Sequence, residues 1–325
     1  MKNNKLVTRN CPLCNSNEYR ILLVLKEDHF TKVNKSYILS RISELNLNAD
    51  QDYPIIKCNK CQMIYSLYCL NAENENLVYE RIIDHDVSRR KIMAVNRRRY
   101  DVGVWIGLLD RLQVYGTEHL DIKIVDYGCG WGTLLLAAEG PGVKAFGFDV
   151  TSWKINWARE QGLTIFDNEE SLAQEAPFDA FYCTSVLEHL NHPREALQTL
   201  AKLLKHGACG YITAMIPFAN SSEGWTELNK RISSGLPLPK EINPWEHLNY
   251  FTVDAFRRLL SEIGFQLESE EGYCRFLPAT TQKNDITLDV TNGKLFNNQP
   301  NTQQLLSEFK TRDLLQNLLL RLIQR

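Results

Sequence analysis

From residue 122 onward, hydrophobic positions fall into short, dense runs rich in β-branched and aromatic side chains. Longer stretches lie between them, where apolar residues recur every three or four positions. The dense runs predict buried strands over 123–126, 145–149, 163–166, 178–183 and 209–216. The periodic stretches, such as 133–138, 153–161 and 193–204, predict helices. This alternation implies an α/β fold, a parallel sheet with helices on both faces. Upstream, residues 77–115 carry a helical pattern, with Ile82, Ile83, Val87, Ile92, Val95, Val102, Trp105, Ile106 and Leu109 on its apolar face. The Ser-, Asn-, Gly- and Pro-rich stretch 217–244 reads as a long excursion suited to a lid or substrate loop. Past Pro278 the chain is polar and Asn-rich. It then gains an apolar stripe (Leu305, Phe309, Leu315, Leu318, Leu319, Leu322, Ile323) that predicts an amphipathic helix docking on the body or on a second copy of the chain.

One junction in this pattern carries chemistry. The run ending at Val125 leads into Asp126-Tyr127-Gly128-Cys129-Gly130-Trp131-Gly132 and then a helical segment, and the next strand ends in Asp149, seventeen residues beyond Gly132. Glycine lets the backbone turn sharply and approach a ligand without a side chain in the way. A carboxylate at the tip of the second strand can accept hydrogen bonds from a ribose diol. A dinucleotide loop places its third glycine one position later and seats a pyrophosphate. Asp126 beside the loop is a poor neighbour for a diphosphate and a good one for an ammonium group. The pattern therefore points to S-adenosylmethionine, a ribonucleoside with an amino-acid tail.

The chain has 325 residues, 44% hydrophobic and 23% charged, enough for one large domain and an accessory one. No apolar run reaches membrane-spanning length, and no signal peptide is visible, so a cytoplasmic location is expected. The net charge of −2 argues against broad nucleic-acid affinity, although Arg89-Arg90-Lys91 and Arg97-Arg98-Arg99 concentrate positive charge in the helical stretch. Four of the nine cysteines form two Cys-x-x-Cys pairs, Cys11/Cys14 and Cys58/Cys61. That spacing lets two tight turns grip one tetrahedral Zn2+, predicting a structural zinc-ribbon-like module. An insertion between residues 26 and 52 separates the two pairs. Asn15 and Gln62 stand where glycine often follows such pairs, and Asn tolerates the left-handed turn better than Gln. Cys69 is a spare thiol that could compete as a ligand. The expected organisation is a cysteine module (1–70), a helical connector (71–120), a nucleoside-binding domain (121–278) and a tail (279–325).

Residues 124–149 resemble the cofactor-binding region of the class I S-adenosylmethionine-dependent methyltransferases, and the resemblance runs on to residue 265. It rests also on Leu187-Glu188-His189-Leu190, on Leu203-Leu204-Lys205-His206-Gly207, and on His247-Leu248-Asn249-Tyr250-Phe251-Thr252 followed by Gly264-Phe265. The resemblance implies a Rossmann-like methyltransferase sheet preceded by the zinc module, and transfer of a methyl group to a small molecule or sugar. It implies that Asp167 faces the adenine amino group, and Val150 and Thr184 join the cofactor-binding set. Ubiquinone-pathway O-methyltransferases share the Leu-Glu-His run but place a further acid, a metal ligand, three residues before the Glu. Ser185 stands there in this chain. If the acceptor is a hydroxyl, a base is needed, and His189 and His247 are the candidates. Two other readings stay open: an RNA methyltransferase that grips its substrate with the zinc module and arginines, and a non-catalytic cofactor-binding scaffold.

Overall fold

The computed structural model describes residues 5–26, 44–45, 52–93, 95–113, 121–138, 140, 142–215, 222–236, 238–239, 242–269 and 272–278. The expected C-terminal helix, with the self-association assigned to it, and most of the 26–52 insertion lie outside the described residues.

The N-terminal part consists of β1 (Leu6–Thr8), β2 (Tyr19–Leu25), β3 (Tyr53–Cys58), β4 (Ile64–Ser66) and β5 (Tyr68–Leu70). One cysteine pair lies on the β1–β2 connection and the other on the β3–β4 turn. Next come α1 (Ala72–Leu77), a π-helical turn (Val78–Ile82), α2 (His85–Ile92) and α3 (Val95–Arg111). Asp84 caps α2 by accepting from Val87 N at 2.9 Å.

From there the elements alternate: β6 (Ile122–Tyr127), α4 (Thr133–Ala138), β7 (Val143–Phe148), α5 (Ser152–Glu160), β8 (Thr164–Phe166), α6 (Glu169–Ala173), β9 (Phe178–Thr184), α7 (Pro193–Lys202) and β10 (Leu204–Thr213). They are followed by α8 (Ser222–Ser233), β11 (Asn249–Tyr250), α9 (Val253–Ile263), β12 (Phe265–Leu267) and β13 (Tyr273–Phe276). Thr252 caps α9 and Gly264 ends it at φ +107°, as their sequence positions predict.

The seven-stranded sheet runs β12-β13-β10-β9-β6-β7-β8. Its five strands from β10 to β8 are parallel, and β13 inserts antiparallel between β10 and β12. β6 is central, and the chain leaves it toward β7 on one side and β9 on the other. The carboxyl ends of these strands therefore open a crevice at the point where the strand order reverses.

The structure departs from the sequence expectation in three places. β10 begins at Leu204, not residue 209, because a bulge across 205–208 lets the Leu-Lys-His-Gly turn stay within the ladder. The sheet gains β12 and β13. Within 217–244 lies a real helix, α8, whose Trp225, Leu228 and Ile232 pack in one cluster with Trp245 and Tyr250.

The cysteine module shares its interior with the body. The four-stranded sheet β11-β4-β3-β2 takes its outer strand from the far end of the chain, with Asn249 opposite Tyr65 and Tyr250 opposite Ile64. One hydrophobic cluster contains Cys11, Leu13, Ile56 and Met63 together with Val125, Phe181 and Phe256.

Candidate functional site

After β6 the glycine loop bends back on the next strand. Gly128 N and Cys129 N both donate to the Phe148 carbonyl, at 2.8 and 2.9 Å. Asp149 then closes the loop: Oδ2 accepts from Gly130 N and Oδ1 from Thr151 N, each at 2.8 Å. Gly128 holds φ +82°, and a Cβ there would come within 2.3 Å of Val186 Cγ2. Gly130 holds φ +54°, and a Cβ there would meet nothing within 4 Å, so its backbone faces open space. Gly132 serves packing instead, since a Cβ would strike Leu163 at 2.5 Å.

The loop forms one wall of a cavity of about 720 Å3 at the carboxyl edge of the sheet, lined also by Tyr79, Trp131, Lys154 and Glu169. Among the sequence-predicted residues, Gly128, Gly130, Asp149, Val150, Thr184 and His189 line it. Val150 is 74% exposed, an apolar side chain offered to whatever enters. Asp126, Gly132, Asp167 and His247 are not on this wall. Asp126 is buried at the base of the loop, where its charge and that of Asp149 both bear on the Cys129 thiol and, with burial, push it up. Asp167 lies at the end of β8, its carboxylate accepting from Arg159 at 3.4 Å and Asn168 at 2.9 Å. The acid on the cavity here is Glu169, which accepts a short hydrogen bond from the Tyr127 hydroxyl.

At the far end of the cavity His189 meets the turn 243–248. Its Nδ1 lies 2.8 Å from the Glu246 carbonyl, and its ring stands edge-on to His247 with centroids 4.9 Å apart. Donation from Nδ1–H to that carbonyl leaves Nε2 with its lone pair. Burial, and then the neighbouring His247, hold the His189 imidazole well below its ordinary pKa, hence neutral. Glu188, one residue earlier, is fully buried. Burial pushes its pKa up to about 7.

A buried polar knot that the sequence reading missed holds these segments together. Asn249 donates from Nδ2 to the carbonyls of Leu187 (2.8 Å) and Leu190 (2.7 Å). Its Oδ1 accepts from Arg9 at 3.0 Å, and Arg9 also reaches the carbonyls of Asn191 (3.0 Å) and Leu248 (3.3 Å). Arg9 thus ties the cysteine module to the site. Beside it opens a second cavity of about 870 Å3 between module and body, lined by Asn10, Cys14, Asn15 and Asn71 among others. Glu75, Asn191, His192 and Glu195 belong to both walls, so the two cavities adjoin.

The four predicted cysteines converge, with all sulfurs within 4.8 Å of one another. Cys11 and Cys61 are 3.2 Å apart, Cys14 and Cys58 3.6 Å. Thiolates on one tetrahedral zinc sit about 3.8 Å apart at Zn–S distances of about 2.3 Å, so this donor set fits that ion. The close Cys11 contact draws Cys61 down to about 5 and pushes Cys11 up. Asn15 and Gln62 both adopt positive φ, +57° and +64°. Gln62 holds the turn with Nε2 donating to the Asn59 carbonyl at 2.9 Å. Cys69 stands apart from this cluster, its thiol pointing to the Val7 carbonyl at 3.7 Å.

Comparison with known proteins places the chain in a family. A family model described as "Methyltransferase domain" matches residues 95–270, more than half of the chain. Curated relatives include the ubiquinone biosynthesis O-methyltransferase of Stutzerimonas stutzeri, 34% identical over 102 residues, covering 28% of this chain and 44% of that protein. The protein of the same name from Actinobacillus pleuropneumoniae is 31% identical over 110 residues, covering 30% and 47%. The chain thus spans less than half the length of these relatives. Among solved structures, the magnesium protoporphyrin IX methyltransferase of Synechocystis with bound S-adenosylhomocysteine is 18% identical, with a TM-score of 0.37 over 58% of this chain and 90% of that one. Among the described residues, no helix is long and apolar enough to cross a membrane.

Proposed function

The chain belongs to the family of methyltransferase domains, and from that premise we infer that it transfers a methyl group from S-adenosylmethionine to a hydroxyl of a small polar acceptor. The observation that carries this reading is the pair of adjoining cavities, one built on the glycine loop and one on the cysteine module. In the first, the open face of Gly130, the exposed Val150 and the Asp149 carboxylate suit a ribonucleoside. Each Asp149 oxygen accepts one backbone bond and keeps capacity for a ribose hydroxyl. The buried charge of Asp126 beneath the loop favours a cationic ligand over a diphosphate. When bound, S-adenosylmethionine supplies an electrophilic methyl on a sulfonium.

The chain's own residues have the task of holding an acceptor in line with it, where proximity supplies much of the rate. Thr184, at the end of β9, and His189 line the first cavity. The His189 Nε2 lone pair is the basic atom offered there. The amides of Asn10, Asn15, Asn71 and Asn191 along the second cavity suit a small hydroxylated molecule such as a sugar. The name of the curated relatives, O-methyltransferases of a small molecule, supports the same class of acceptor. Arg89 and Arg90 are exposed, and Arg89 pairs with Asp86. We assign the four cysteines to a structural zinc that fixes the turn on which Asn15 stands.

Calorimetric titration with S-adenosylmethionine and S-adenosylhomocysteine tests the reading. We expect binding by the wild type and at least tenfold weaker binding by Asp149→Ala, which removes the loop's closing carboxylate. A folded, metal-loaded wild type that binds neither nucleoside would overturn it.

A further inference from the structure

We propose that His189, Glu246 and His247 form a second, open metal site that binds a divalent cation at the acceptor end of the cofactor cavity. One ligand atom from each of the three lies within 4.8 Å of the others. Two imidazoles and a carboxylate form the donor set of open zinc sites, which leave a position for a further ligand. His189 and Glu246 line the cofactor cavity, so that position faces it.

The surroundings are built as ligand-orienting shells are built. The Glu246 carbonyl fixes Nδ1 of His189 at 2.8 Å and leaves Nε2 for the ion. Asn243 Nδ2 donates to Glu246 Oε2 at 3.1 Å, and the Asn243 carbonyl accepts from His247 N at 2.7 Å. The two ligand-bearing segments are joined through Leu248 N and Asn249 N, both donating to the Glu188 carbonyl, at 2.7 and 3.0 Å. The Glu246 carboxylate supplies negative charge to offset that of the ion. This set takes two of its three ligands from the 243–248 turn. It does not use Ser185, which occupies the position of the extra acid in the ubiquinone-pathway enzymes.

The chemical consequence rests on the methyl-transfer reading, whereas metal binding itself does not. A hydroxyl of the acceptor bound to the cation loses its proton more readily. The proton leaves to water, the hydroxyl oxygen forms a bond to the methyl carbon, and the sulfur keeps the electron pair of the broken C–S bond. The site therefore selects acceptors whose hydroxyl can reach a metal ion, the His189 Nε2 lone pair binding that ion when it is present.

The test is titration of the full chain, its cysteine cluster already filled with zinc, with Co2+ alone. We expect one further equivalent per chain, with weak visible d–d bands and none of the intense near-ultraviolet thiolate charge transfer that cobalt on cysteines would give. His247→Ala and the near-isosteric Glu246→Gln should each weaken that equivalent by tenfold or more while retaining one zinc per chain and an unchanged melting profile. Absence of a second equivalent in the wild type overturns the proposal. So does uptake that both variants keep, or uptake that carries the thiolate signature. S-adenosylhomocysteine binding without cobalt uptake would return His189 to the role of plain base and leave the methyl-transfer reading standing. Cobalt uptake without nucleoside binding would strike that reading alone.

Discussion

Replacing Asn249 with alanine tests whether the buried knot holds the site to the cysteine module. The side chain is 1% exposed and makes three hydrogen bonds, one of them from a buried guanidinium. Two neutral bonds at about 1 kcal/mol each and one charge-assisted bond at about 1.5–3 kcal/mol give a loss of roughly 3–5 kcal/mol. That is a large share of the 5–15 kcal/mol typical of a folded domain. In urea, with a slope of about 3 kcal/mol per M, the midpoint should fall by roughly 1–1.7 M. Asn249→Ala should also be non-additive with Arg9→Met, with a coupling of about 1–2 kcal/mol, because the two side chains share one bond. Fluorescence- and circular-dichroism-monitored urea melts of the four proteins measure both quantities. A loss below about 1 kcal/mol, or full additivity, would refute the argument that this pair joins module to site.

Three further outcomes are expected. Val150→Ala should leave stability within about 0.5 kcal/mol, as befits an exposed position, yet weaken S-adenosylhomocysteine binding three- to tenfold by calorimetry, since the methyl groups lost face the ligand. Gly128→Ala must hold φ +82° and meets Val186, so it should cost about 2–3 kcal/mol in a urea melt, with part of the loss recovered in Gly128→Ala/Val186→Ala. Stripping the metal from the four cysteines should lower the melting temperature of the whole chain by roughly 10 °C or more, because Cys11, Cys58 and Cys61 belong to the main hydrophobic cluster. A calorimetric scan in which the body melts unchanged after chelation would contradict that.

The central strands and the glycine loop were legible because burial on both faces demands unbroken apolar runs, and a backbone that must turn beside a ligand demands glycine. The cysteine pairs were legible because the doubled Cys-x-x-Cys spacing is what converging four sulfurs on one point requires. Short edge elements were not. β11 has two residues and β13 mixes Cys and Arg with aromatics, so neither carries a period long enough to read. α8 was hidden by its polar composition, although Trp225, Leu228 and Ile232 repeat at helical spacing. Arg9 could not be found from sequence, since its partners Asn191, Leu248 and Asn249 lie far along the chain, and only the tertiary fold brings them to it.

The pairing of β4 with β11 also sets an order on synthesis. Tyr65 and its partner Asn249 are about 180 residues apart, a stretch that a ribosome needs roughly 10–40 s to make. The two cysteine turns are complete long before then, but the sheet behind them waits with the edge of β4 uncovered. An open edge of that kind is a template for wrong pairing. The nascent module therefore spends its first seconds with an unpaired edge. It becomes a finished surface only when the segment carrying Asn249 and Tyr250 arrives.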